Sequence, residues 1–171
     1  MKLLILFLVL GLIAFYVGYL HADQPASHVE LNTDNIGPRS TEDLTEKSIV
    51  RDYGMAWQTL RTALEHDQTS ALDGYFTGLA RDEFSRLVQS QIKTGVHVRY
   101  IDRSHKLAAI FYSPSGDAMQ LRDHATLEMQ IMDSSKILSA QQVTRNYLVL
   151  MTPGADRWLV RDLETLPEGR P

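Results

Sequence analysis

The distribution of apolar residues changes character twice along the 171 residues. From Leu3 to Leu20 the chain is apolar on every side, with no charge between Lys2 and Asp23. At the helical rise this run covers about 27 Å, close to the hydrocarbon thickness of a bilayer. Lys2 precedes it while Asp23 and Glu30 follow, a bias that puts the amino end in the cytoplasm and the rest outside. Residues 1–22 are therefore expected to be an uncleaved transmembrane signal-anchor in the cell membrane. Secretion after leader cleavage is the alternative, but a cut after Ala22 would leave bulky Leu20 where the peptidase wants a small residue.

Residues 23–40 are polar, contain Pro25, Gly37 and Pro38, and show no sustained period, so they are expected to be a flexible linker. Helical spacing then begins after the acidic turn that follows Thr41. Ile49, Tyr53, Ala56, Trp57, Leu60, Ala63 and Leu64 share one face, which predicts a helix ending near Glu65. A short helical turn is expected over 70–75. A second helix over 79–93 should bury Phe84, Leu87, Val88 and Ile92 and stop at Gly95.

Beyond Gly95 the period falls to two. "VHVRYID", "KLAAIFYS", "AMQLRDHATLEMQIMD", "AQQVTRNYLVLM" and "RWLVRDLETL" read as strands, with "SPSGD" and "TPGAD" as turns. Alternation puts Tyr147 with Val149, and Trp158 with Val160 and Asp162. Helices followed by antiparallel strands define an α+β domain over 41–171, in which a helical hairpin packs on a curved sheet.

Composition removes several chemistries. The net charge is −4 and no Lys/Arg block occurs, so the field that nucleic-acid binding requires is missing. There is no cysteine for a disulfide, thiolate metal site or nucleophile. The six histidines form no zinc motif; only His97 and His105 could meet, if a hairpin paired their strands. No G-x-S-x-G elbow, phosphate loop or dinucleotide fingerprint is present, and no cofactor is expected.

The helix "VRDYGMAWQTLRTALEHD", the segment "LDGYFTGLARDEFSRLVQSQIKTG" leading into a strand, the "SPSGD" turn and the closing "YLVLMTPGADRWLVRDLE" hairpin together resemble the nuclear transport factor 2-like (cystatin-like) cone fold. The nearest likeness within it is to the intermembrane-space-type domain of cyanobacterial and plastid division proteins. The likeness covers about residues 42–166. That superfold hosts enzymes and binding modules alike, so it implies architecture rather than activity. It also leaves open a homodimer through the sheet.

Enzymes similar to this fold place a carboxylate or His base opposite a Tyr, His or Asp donor inside the cone. The residues available for that are Tyr100, Asp102, His124, Glu128, Tyr147 and Asp162, with Asp102 and His124 reading as solvated strand positions. Trp57 reads as core. Arg99, Arg103, Arg122, Arg145, Arg157 and Arg161 would form a basic platform with Tyr100 and Tyr147 if the registers put them on the open sheet face. The balancing acids would be Asp102, Asp123, Glu128 and Asp162. The expectation is a membrane-anchored, non-catalytic binding or scaffold module of an envelope complex. Its candidate contacts to other envelope proteins are Arg99, Arg122, Arg145, Tyr147, Trp158 and Arg161. The rival is a small-ligand carrier, or an isomerase or dehydratase, that uses the cone interior.

Overall fold

The computed structural model describes residues 28–133 and 136–167. The elements in chain order are strand β1 (His28–Asn32), helix α1 (Asp43–Glu65), a 3-10 turn (Thr69–Gly74) and helix α2 (Gly78–Thr94). Strands β2 (Val96–Tyr112), β3 (Met119–Asp133), β4 (Lys136–Pro153) and β5 (Trp158–Leu166) follow. They form one five-stranded sheet in the order β1-β2-β3-β4-β5, antiparallel except for the parallel β1–β2 pair. The transmembrane expectation for residues 1–22 lies outside the described residues. Among the described residues no helix is long and apolar enough to cross a membrane.

Both long helices form where the 3–4 residue spacing places them. On α1 every residue of the predicted apolar face is buried, Trp57 included. On α2 Val88 is buried and Phe84 and Leu87 partly so, but Ile92 is exposed; the buried position near that end is Gln91. Gln91 donates to the Leu64 carbonyl at the end of α1 (3.2 Å) and accepts from the Val98 amide of β2 (2.7 Å). One amide thus satisfies a helix-end carbonyl and a strand amide that burial would otherwise leave costly. Gly95 closes α2 in the left-handed region at φ 70°, and its N–H bonds to the Gln91 carbonyl.

Two expectations are corrected. The linker predicted over 23–40 contains β1, which pairs in register with Ser104–Ala108 and packs Val29 and Leu31 against the core. Five residues between polar, Pro- and Gly-containing flanks are too few for alternation to stand out. The strands read separately as "VHVRYID" and "KLAAIFYS" are one strand, β2, with Arg103 as the extra residue of a bulge. The bulge shifts the phase by one, so Tyr100, Asp102 and then His105, Leu107 and Ala109 all face the helices.

The core lies between α1 and the concave face of the sheet. Ile49, Tyr53, Leu60 and Leu64 of α1 meet Leu107, Leu121, Leu127, Val149, Met151 and Val160, all fully or almost fully buried. Each such aliphatic side chain contributes roughly 1.5–3 kcal/mol of transfer free energy. A polar clamp adds direction to this packing. Asp52 is buried, accepts the Trp158 amide of β5 (2.8 Å) and is paired with the exposed Arg51 (2.7 Å). Replacing Asp52 with Ala orphans a buried N–H, so we expect a loss of about 1–3 kcal/mol in urea unfolding. Arg51→Ala, at the exposed end of the same pair, should shift the midpoint far less.

Candidate functional site

The cone has a sealed floor and an open mouth. At the floor, the Tyr53 hydroxyl donates to Asp123 Oδ2 (2.7 Å), and His105 Nδ1 lies 2.7 Å from the same oxygen. All three side chains are buried. Tyr53 comes from the apolar face of α1, His105 from β2 just after its bulge, and Asp123 from β3. Leu107 pairs directly with Asp123 across the two strands, which sets His105 one step away on the same face. Trp57, one turn beyond Tyr53, lies over the His105 ring at 4.7 Å between centroids. His105 Nε2 and Asp123 Oδ1 are buried and make no hydrogen bond among the described residues.

The mouth is a cavity of about 200 Å³ between α1, α2 and the far ends of β2, β4 and β5. Its apolar wall is Trp57, Leu60, Phe84, Leu87 and Leu163, and Tyr100 and Tyr147 supply hydroxyl groups. Glu83 and Thr165, both exposed, stand at the rim. Trp57 belongs to both tiers, packing on His105 below and reaching Tyr147 and Tyr100 at 5.8 and 6.4 Å.

Burial sets the titration of these phenols. It raises Tyr53 well above the ordinary value, reinforced by the Asp123 carboxylate. It raises Tyr147 strongly and Tyr100 as well, with nearby Arg145 opposing both shifts. All three stay protonated near neutral pH, and Tyr53 donates its hydrogen bond to Asp123.

The predicted site residues are dispersed by the registers. Arg145 opposes Ala125 and lies on the helix-facing side with Tyr147, whereas Arg122 opposes Leu148 on the outer face. Arg161 is the extra residue of a bulge in β5 and is exposed, with its backbone against Gly78. That bulge turns Asp162 to the outer face beside Leu150, so Leu163 instead of Asp162 joins Trp158 and Val160. Trp158 is buried against Tyr112. Arg99 pairs with Glu65 (3.2 Å), Arg103 with Glu128, and Arg157 with Asp156 (2.7 Å). Only Arg145 and Tyr147, with Tyr100, come together at the cone mouth.

His124 is exposed on the outer face and bonds Asn146 (2.8 Å). Asp102 was expected at a solvated position but is buried on the helix-facing side, because the bulge falls immediately after it. His97 and His105 cannot meet, since both belong to β2; His97 lies beside Asp67 instead (3.4 Å). Among the described residues no cluster of three or more His, Asp or Glu could hold a metal ion.

The floor triad escaped the sequence reading, although a signal was present. Asp123 falls in phase with Leu121, Ala125 and Leu127, and His105 with Leu107 and Ala109. Ionisable residues in an apolar alternation predict buried partners.

No family model and no curated protein matches the chain. Among solved structures, the intermembrane space region of chloroplast protein ARC6 superposes with a TM-score of 0.59 at 14% identity, over 75% of this chain and 98% of that one. A protein of Novosphingobium aromaticivorans DSM 12444 assigned as a scytalone dehydratase covers 75% of this chain and 95% of its own, at 12% identity and a TM-score of 0.48. The fold is the nuclear transport factor 2-like cone, with its likeness to the ARC6 region as expected.

Two outcomes check the floor. Asp123→Ala removes the shared acceptor and should cost about 3–5 kcal/mol, as when one member of a buried polar pair is lost. The raised phenols bind their protons more tightly folded than unfolded, so their contribution is fully present below pH ~10 and is lost as pH rises past it. Absorbance titration should show tyrosine ionisation of the folded core coinciding with alkaline unfolding.

Proposed function

We propose that this chain is a non-catalytic, extracytoplasmic binding module, anchored through residues 3–20, whose cone mouth receives an apolar side chain of another envelope protein. The observation that carries the reading is the division of the cone into a packed floor and a small open mouth. A cavity of about 200 Å³ is below the usual range for small-molecule sites, roughly 300–1,000 Å³, but suits one or two anchoring side chains. Trp57, Tyr100 and Tyr147 are the rigid aromatic surfaces that protein interfaces favour. Arg145 adds a positive charge beside them. The likeness to a domain from an intermembrane space agrees with an extracytoplasmic location.

A second reading rests on the floor. His105 and Asp123 form a hydrogen-bonded acid–base pair inside the cone, as a proton-transfer enzyme would need. Both are sealed from solvent, and the Trp57 ring packs on the imidazole, so substrate could reach them only if Trp57 moved.

Thr165→Trp places a large ring at the mouth from an exposed position and should leave the fold intact. Partner capture from membranes by this variant, and by Arg145→Ala, should fall by about tenfold, the scale of one lost hot-spot contact. Unchanged capture with both variants would remove the mouth as the binding site. If capture survives and a turnover is found that disappears in His105→Gln, the enzymatic reading takes its place.

A further inference from the structure

The pairing of β1 shortens the distance between the domain and the apolar run. Residues 21–27 alone separate Leu20 from His28, the first residue of β1. At about 3.6 Å per residue, the greatest possible span from Leu20 to His28 is about 29 Å. His28 is itself fixed, because β1 pairs in register with Ser104–Ala108 and packs Val29 and Leu31 against the core. With residues 3–20 in a bilayer, the reading proposed above and the one this inference rests on, the β1 edge of the sheet is held at the membrane surface.

The outer face beside that edge is basic. Lys106, Arg122 and His124 are exposed and alternate with Leu107, Leu121, Asp123 and Ala125, which are buried on the helix side. Lys106 directly opposes His124, and Arg122 opposes Ala108, so the three form a triangle across β2 and β3. Counted in strand spacings and residue rises, their Cα atoms lie roughly 8–17 Å from that of His28. Among the described residues neither Lys106 nor Arg122 has an ion pair. Glu30, opposite Lys106 on β1, bonds His28 instead (2.8 Å), and Glu128 is taken up by Arg103. Asp162 and Glu164 lie at the far edge on β5, with Leu148 between Glu164 and Arg122. The grouping does not serve the fold, since like charges on neighbouring strands repel.

A shallow hollow of about 240 Å³ lies among the three basic side chains, with Ala108 and Leu166 as its apolar walls. We propose that this face binds the phosphodiester headgroups of anionic lipids in the membrane that carries residues 3–20. Arg122 supplies a planar fork that matches phosphate oxygens, and Lys106 a point charge. Each basic residue near an anionic surface strengthens association about fivefold. Two such gains are small for a free protein, but the short connection makes docking intramolecular, at an effective concentration in the millimolar range. Headgroups are also the anions that this connection already brings within reach, which selects them over an acidic segment of another protein. Tyr147 and Leu163 of the cone mouth lie on the opposite, helix-bearing side of the sheet, so docking turns the mouth away from the bilayer and toward partners.

The chain has no cysteine, so single-cysteine labels can read which side faces the bilayer. In the full chain reconstituted into vesicles, a fluorophore at Thr144→Cys, exposed on the outer face opposite Thr126, is compared with one at Glu83→Cys on the rim of the mouth. In phosphatidylcholine mixed with phosphatidylglycerol, a headgroup-attached quencher should act severalfold more strongly at Thr144→Cys. The excess should vanish in pure phosphatidylcholine, and also in salt of about 1 M, where the screening length falls to about 3 Å. In Lys106→Gln/Arg122→Gln the ratio of docked to undocked domain should fall about twenty-five-fold, the product of the two contributions. Equal quenching at both positions in the anionic vesicles, or an excess that the double variant keeps, overturns the proposal. Flotation with pure phosphatidylcholine vesicles reads the anchor separately: a chain that floats but quenches equally retains the anchored reading and loses this one, whereas a chain that does not float loses both. Partner capture that falls in the double variant, with no excess quenching in the parent chain, gives the face to an acidic protein instead.

Discussion

Two adjacent side chains of α1, Asp52 and Tyr53, tie the helix layer to the sheet. Asp52 holds the Trp158 amide where β5 begins, and Tyr53 holds Asp123 in the middle of β3. Apolar packing alone would leave α1 free to slide along a surface of similar aliphatic side chains, because hydrophobic attraction has no direction. Two buried polar contacts at different strands permit one position only, since any shift would leave a carboxylate and an amide unpaired in a low-dielectric interior. Trp57 is then placed one turn along, over His105 and against the cavity.

That placement separates the two regions of the cone. Asp123 needs the Tyr53 hydroxyl and the His105 ring as partners, and meeting this need fills the floor. A cavity is left where α1, α2 and the sheet diverge, between Leu60, Phe84, Leu87 and Leu163. The same buried network that orders the fold thus leaves the floor closed and the mouth accessible. It also explains why Tyr100 and Tyr147, half-way between the two regions, remain protonated: they are dry enough for burial to dominate over the nearby Arg145.

The bulges at Arg103 and Arg161 account for most of the distance between the pattern in the chain and the arrangement in space. Each inserts one residue, so the alternation before it and the alternation after it are out of phase. Asp102 became a core residue and Asp162 an outer one for this reason. The supposed platform of arginines dissolved for a related reason, as Arg145 and Arg122 belong to opposite faces of neighbouring strands once the register is known. Strand β1 was hidden because it is short and its partner is parallel and distant in sequence.

The amino-acid sequence by itself determined the two helices, the last three strands, the Gly95 stop and the absence of any thiol, since each of these follows from local spacing and residue type. It also showed which positions are apolar, and therefore that Trp57 would be buried. Tertiary structure alone decided which strand residue opposes which, and with that the meeting of Tyr53, Asp123 and His105, the cavity at the mouth and the grouping of Lys106, Arg122 and His124 on the outer face. These depend on register between distant segments, seventy residues apart for Tyr53 and Asp123. A one-residue slip costs nothing locally but exchanges the two faces, so no local pattern could have fixed it.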